Sequence, residues 1–177
     1  QSELFSLSTF VPTWQTDYAT YEFAYFIFNG NKNKIFDPNS TDEARKYVIQ
    51  SNEISGEMIF TAYYKVTDFV TPTIVGNENN WTYDAQSRSL SIDFAGKQNT
   101  NVLTYTYAWY KDGKALAGQT EVILDNIKNV VDSGKYTCKI KVNAQNEYAF
   151  TESQIEKETQ EFSITISPKE IWFTQNG

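Results

Sequence analysis

Residues 109–138 constrain this chain more than any other stretch. A Trp opens an apolar segment that stops at Lys111-Asp-Gly113, and Asp132-Ser-Gly-Lys-Tyr-Thr-Cys138 closes the stretch 29 positions after that Trp. Gly113 supplies the positive φ that a tight hairpin turn requires. From Tyr136 onward the pattern alternates, with Tyr136, Cys138, Ile140 and Val142 on one face and Thr137, Lys139 and Lys141 on the other. A period of two marks a strand with a single buried face. In Leu124-Asp-Asn-Ile127 the apolar residues stand three apart, which suits a strand that ends by dropping a side chain into the core. Trp109 is the largest single piece of apolar area that core can hold.

Composition agrees with a chain of strands. Aromatic residues make up 16% of the 177, with 12 Tyr, 12 Phe, four Pro and one Met, a bias toward sheet over helix. At 40% hydrophobic the chain is long enough for one large domain or two small ones.

The Trp109, Asp112-Gly113 and Asp132-x-Gly134-x-Tyr136-x-Cys138 arrangement resembles the core of an immunoglobulin-like domain. The resemblance implies an all-β, immunoglobulin-like β-sandwich, with Trp109 on strand C filling the space between two sheets. It implies that Tyr136 forms a tyrosine corner, its hydroxyl bonding back to the backbone of the E to F connection. Strand B is then Ser89–Phe94, with Leu90, Ile92 and Phe94 inward, and Phe162, Ile164 and Ile166 supply strand G. Two departures stand out. Strand B lacks the usual cysteine, and Cys138 is the only one in the chain, so no intrachain disulfide can form. Its expected state is a buried thiol packed as a small hydrophobe against Ile92 or Phe94 and Trp109. The E to F connection is also about one residue longer than the usual spacing.

The likeness covers residues 72–168 well and the first 71 poorly. In that first part Tyr21–Phe28 reads as an aromatic strand broken by Asn29-Gly30, a hairpin turn signal. Short strands are expected around Leu4-Phe5 and Phe10-Val11, and Trp14 is assigned to the core of this part. Ser40-Thr-Asp-Glu43 fits a capping box, with Ala44, Tyr47 and Val48 at helical spacing behind it. A helix over 42–50 is preferred slightly to a strand over 46–50. Met58–Val66 reads as a strand with Met58, Phe60, Ala62 and Tyr64 on one face. Phe26–Gly30 lies over Trp109–Gly113, and Ile54–Phe60 over Asp132–Cys138, as in a worn repeat of the same module; a different small β-rich unit is the alternative. Thr71-Pro72 and Ser167-Pro168 have the same form 96 residues apart, a period that suits one sandwich. The expected divisions are therefore 1–71, 72–168, and a linker or start of a further unit at 169–177, where Trp172 belongs to a junction.

The chain contains no histidine. That removes Ser-His-Asp and Cys-His nucleophile systems, HExxH zinc sites and imidazole bases together. A net charge of −7 argues against a phosphate-binding surface for nucleic acid and against adhesion to anionic lipid. No apolar run is long enough to span a bilayer, and the first residues lack a signal-peptide pattern; if the protein is exported, its signal or anchor is expected outside this sequence, which reads as part of a longer protein. Glu152, Glu156, Glu158 and Glu161 crowd an expected acidic tip of a long F to G hairpin, without the convergence a cation site needs. Asn39-Ser-Thr41 and Asn80-Trp-Thr82 match the glycosylation acceptor pattern. Trp81, in a polar loop beside Asn79 and Asn80, is the candidate exposed ligand-binding residue: its ring would stack on a sugar and the amides would bond hydroxyls. The rival reading makes Trp81 a core residue closing one end of the sandwich.

The composition and module type are similar to repeat-rich surface and adhesion proteins of low-GC bacteria. That likeness implies an extracellular segment of tandem modules serving extension, spacing and surface contact; with no histidine and no convergent polar constellation, no enzymatic role, cofactor or metal is expected. The segment would bind a host or matrix protein or glycan, or neighbouring modules of its own chain, or serve as a stalk spacer. The alternatives are part of a motility or appendage assembly, or a decoration domain of a phage virion.

Overall fold

The computed structural model describes residues 12–37, 40–54, 57–144 and 155–172. Within them the protein is all-β, with three one-turn 3-10 segments and no α-helix. The strands expected at Leu4-Phe5 and Phe10-Val11, Asn39 of the first acceptor pattern, and Glu152 lie outside the described residues. The chain groups into two compact units: Gln1–Phe69 with Asn99–Thr104 and Asn143–Ile155, and Val70–Gln98 with Tyr105–Val142 and Glu156–Gly177.

The first unit is built on β1 (Thr13–Gln15), β2 (Ala19–Phe28), β3 (Ile35–Phe36) and β4 (Phe60–Phe69), which form one four-stranded sheet. Strand β2 is central, antiparallel to β4 along one side and to β1 and then β3 along the other. Its near-continuous aromatic run cannot alternate cleanly between faces. Two register shifts against β4, at Thr20/Tyr21 and Phe23/Tyr25, re-aim the side chains, and Tyr21, Phe26, Ile27 and Phe28 are all buried. Asn29 and Gly30 turn the chain with φ of 49° and 68°, the two left-handed residues of a primed hairpin turn. Trp14 stacks on Tyr21 at 4.9 Å but stays 46% exposed, so it caps this core rather than filling it.

The helix expected over 42–50 is not formed. Asp42, rather than Ser40, caps a single 3-10 turn, Glu43–Arg45, by accepting from the Ala44 amide. The chain then turns extended because its backbone groups find partners on β3: the Tyr47 amide donates to the Ile35 carbonyl at 2.8 Å, and Arg45 accepts from Asp37 at 2.7 Å. Lys46 forms a bridge with Phe36. These bonds replace the helical ones; of the alternative, a strand over 46–50, only the bridge at Lys46 forms.

The second unit is built on two sheets, except that Leu103, Thr104, Asn143, Ala144 and Ile155 at the strand ends fall in the first unit. The smaller has the order β10-β7-β5, from Ile123–Ile127, Arg88–Asp93 and Thr73–Gly76. The larger has the order β6-β13-β11-β8-β9, from Asn80–Thr82, Phe162–Ser167, Gly134–Ala144, Leu103–Lys111 and Lys114–Ala115, with β12 (Ile155–Glu158) also paired to β11. The opening segment of this unit is thus split, β5 joining the smaller sheet and β6 running parallel to β13 in the larger. Leu90, Ile92, Phe94, Leu124 and Ile127 are buried from one side, and Trp109, Tyr136, Cys138, Ile140, Ile164 and Ile166 from the other, an arrangement compatible with a β-sandwich. Leu124 and Ile127 both reach the core because a bulge separates them, with Asn126 at φ 66°.

The Trp109 to Cys138 stretch forms the centre of this core. Trp109 is fully buried, and its indole N–H donates to the Glu121 carbonyl at 2.9 Å. Asp112 and Gly113, at φ 50° and 75°, turn the chain into β9. Asp112 also ties the turn to β11, its amide donating to the Lys135 carbonyl and its carboxylate accepting the Lys135 amide at 2.9 Å. Tyr136 is 2% exposed, and its hydroxyl donates to the Asp132 carbonyl at 2.5 Å. The longer connection before it is taken up by the 3-10 turn Val130–Asp132, which the Asp132 carboxylate closes by accepting the Lys128 and Asn129 amides.

Candidate functional site

The polar pattern around Trp81 comes from a short strand, not a loop. In β6 the side chains alternate, so Asn80 and Thr82 are exposed while Trp81 is buried at 8% exposure. This corrects the expectation of an exposed ring. Arg88 of β7 lies over the indole, 4.6 Å from the ring centroid. The guanidinium is held there by a bidentate pair with Asp84 at 2.7 and 2.9 Å and by Glu78 at 2.8 Å. Those bonds hold the Asp84 carboxyl at about 2 and raise Arg88 further. Asn79 and Asn80 are exposed, but Asn79 lends its carbonyl to the Thr165 amide at 2.9 Å, fixing β6 against β13. Trp81 is thus not presented beside Asn79 and Asn80.

The three described members of the acidic group expected at a hairpin tip lie in or beside strands instead. Glu156 and Glu158 are in β12, and Glu161 immediately precedes β13. They face the polar side of β11. Lys135 pairs with Glu161 at 2.9 Å, and the Thr137 hydroxyl donates to Glu158 at 2.8 Å. Beyond them, Lys139 and Lys141 share Glu156 at 3.9 and 3.7 Å. At the jog between β12 and β13 the buried Thr159 hydroxyl accepts the Cys138 amide at 3.0 Å. Cys138 itself is fully buried, and burial pushes its thiol up to about 11, the state of an inert core residue.

Between β8, β11 and β12 the outer surface of the larger sheet opens into a notch of about 270 Å³. Leu103 and Trp109 are fully buried, which places Thr106, Ala108 and Tyr110 on the outward face of β8. Thr106 and Ala108 are too short to fill the space, and Tyr110, Lys139, Lys141 and Glu156 complete the walls. The Lys139 ammonium lies 5.3 Å from the Tyr110 ring centroid. In sequence the alternation of β11 marked both lysines as outward-facing; the pairing of β11 with β8, which creates the notch, carried no local signal.

The first unit has a separate aromatic cleft of about 340 Å³, walled by Phe26, Phe28, Phe36, Tyr47, Val48 and Phe60. Its polar groups satisfy one another: the Lys34 ammonium and the Tyr47 hydroxyl both donate to Glu53. Those two donors, with the Gln50 amide, lower the Glu53 carboxyl to about 2.

No group of three or more His, Cys, Asp or Glu among the described residues is placed to hold a metal ion. Nor is any described helix long and apolar enough to cross a membrane. No family model matches the chain, and no curated protein is significantly similar to it.

Proposed function

We propose that this chain is a non-enzymatic segment of a multidomain cell-surface protein, built from tandem immunoglobulin-like modules without disulfides and used for adhesion to a host or matrix surface. The observation that carries the reading is in the second unit, where the bond from Tyr136 to the Asp132 carbonyl stands beside an opening strand split between two sheets. Both features suit an immunoglobulin-like sandwich. The first unit supports a worn copy of that module: β2 lies between β3 and β4 as β8 lies between β9 and β11, and Asn29-Gly30 turns with nearly the same φ pair as Asp112-Gly113. In such modules the outer sheet surfaces and the clefts are free to bind, while the inner residues hold the scaffold.

The test is binding of the whole chain, displayed multivalently on beads, to host cells and immobilised matrix proteins. Weak contacts repeated on one particle gain about 10²-fold or more in avidity, so saturable binding that soluble chain competes away is expected. Absence of binding to every cell type and matrix protein would overturn the adhesive reading.

A further inference from the structure

We infer that the notch between β8, β11 and β12 binds an acidic saccharide, with the anionic group between Lys139 and Lys141 and a sugar face against Tyr110. The inference rests on the adhesive reading above and names the ligand class for one surface of it.

The argument begins with an interrupted ladder. Along the polar face of β11, Lys135 and Thr137 are closed by hydrogen bonds to Glu161 and Glu158 at 2.9 and 2.8 Å. The next two positions are not closed. Glu156 is shared by two ammonium groups at 3.9 and 3.7 Å, beyond hydrogen-bond distance. Among the described residues neither Lys139 nor Lys141 donates a hydrogen bond from its side chain, and the Tyr110 hydroxyl has no partner. Two ammonium groups thus face one carboxylate here without a hydrogen bond to it, although over the whole ladder the three lysines are matched by Glu156, Glu158 and Glu161. The lysines are only partly exposed, at 36% and 46%, so their attraction to an anion is less screened than that of fully solvated side chains.

Shape and chemistry then select the ligand. A notch of 270 Å³ is near the lower end of ligand sites, roughly 300 Å³ and upward, which suits one sugar ring with its substituents. The floor is the short side chains of Thr106 and Ala108, and the Thr106 hydroxyl is available to a ligand hydroxyl. Tyr110 provides a ring face for the C–H side of a pyranose and a phenol to bond its edge. Two adjacent ammonium groups with unfilled donors match one carboxylate or sulfate. A polyanion such as nucleic acid would need a broad array of cations.

The experiment uses the whole chain, displayed multivalently on a sensor, against matched saccharides: sialylated and asialo forms of one glycan, and sulfated and desulfated forms of another. The Lys139→Gln/Lys141→Gln double variant is compared with Lys135→Gln, which removes charge from the same strand but from the closed part of the ladder. Circular dichroism and thermal unfolding confirm that the variants fold. The expected result is binding to the carboxylated or sulfated member of a pair, with the anion identified by which pair discriminates. The double variant should lose at least about 10-fold in apparent affinity while Lys135→Gln changes it less than about 2-fold, and binding should weaken as salt rises. Equal loss in Lys135→Gln, or equal binding to charged and neutral members, would overturn the notch as the site. Binding to cells and matrix proteins that survives the double variant would overturn it while leaving the adhesive reading in place, and absence of binding to any target would overturn both.

Discussion

Removing one oxygen from Tyr136 tests the account of the second unit most directly. In Tyr136→Phe the ring keeps its buried place, and only the bond to the Asp132 carbonyl disappears. A hydrogen bond of this kind contributes about 1 kcal/mol net, and leaving a part-buried acceptor without its donor adds toward the about 1–3 kcal/mol of a fully buried one. The Asp132 amide already donates to the Asn129 carbonyl at 2.8 Å, and its carboxylate closes the 3-10 turn, so the backbone has little freedom to turn its carbonyl to water. The expected loss is therefore about 2 kcal/mol. Urea unfolding followed by tryptophan fluorescence should report it through Trp109, which lies in the same core, as a lower midpoint with an unchanged slope. A loss below about 0.5 kcal/mol would refute the reasoning, since it would mean that this bond does not hold the turn to β11. A changed slope would instead indicate altered compactness of one of the two states.

Three further outcomes follow from the same core. Trp81→Ala should destabilise the second unit by about 3 kcal/mol, in the range for deleting a large buried aromatic, with the loss read by denaturant unfolding; a stable, normally folded variant would return Trp81 to the surface. Gly134→Ala should cost about 1–3 kcal/mol, because the residue sits at φ 157°, which residues with a side chain rarely adopt, and an added Cβ 2.7 Å from the Asp112 carboxylate would push it from the Lys135 amide; an unchanged melting temperature would contradict that strain. Burial raises the Cys138 thiol from 9.0 to about 11 and the Tyr136 phenol from 10.0 to about 12. Folding therefore favours their neutral forms, and that stability is complete below about pH 9 and lost as pH rises toward 11 and 12. Unfolding free energy measured from pH 8 to 11 should fall, and fall less steeply in Cys138→Ala; an identical slope in the variant would remove the thiol from the explanation.

Features that depend on a few neighbouring residues were legible in the sequence. The alternation after Tyr136 marked Cys138, Ile140 and Val142 as inward, and all are fully buried. The three-residue spacing of Leu124 and Ile127 anticipated a strand end reaching the core, realised by the bulge between them. Of the two readings of Trp81 the buried one agrees with the structure; the exposed one arose because a three-residue strand flanked by polar residues has the same local pattern as a loop. The acidic stretch was misassigned for a related reason: Glu156 and Glu158 alternate along a strand whose partner lies earlier in the chain.

What the sequence by itself determined is the all-β character, the turns at Asn29-Gly30 and Asp112-Gly113, and the inward set of Trp109, Tyr136, Cys138, Ile92 and Phe94. These follow from side-chain period and from which residues tolerate positive φ, both properties of the local chain. Tertiary structure alone decided that residues 45–47 bond to β3 instead of continuing a helix, that Arg88 covers Trp81, and that two lysines share one glutamate above a floor of Thr106 and Ala108. Each of these depends on the register between segments distant in sequence. That register is set by how the whole set of strands buries its apolar faces together, so no window of neighbouring residues contains it.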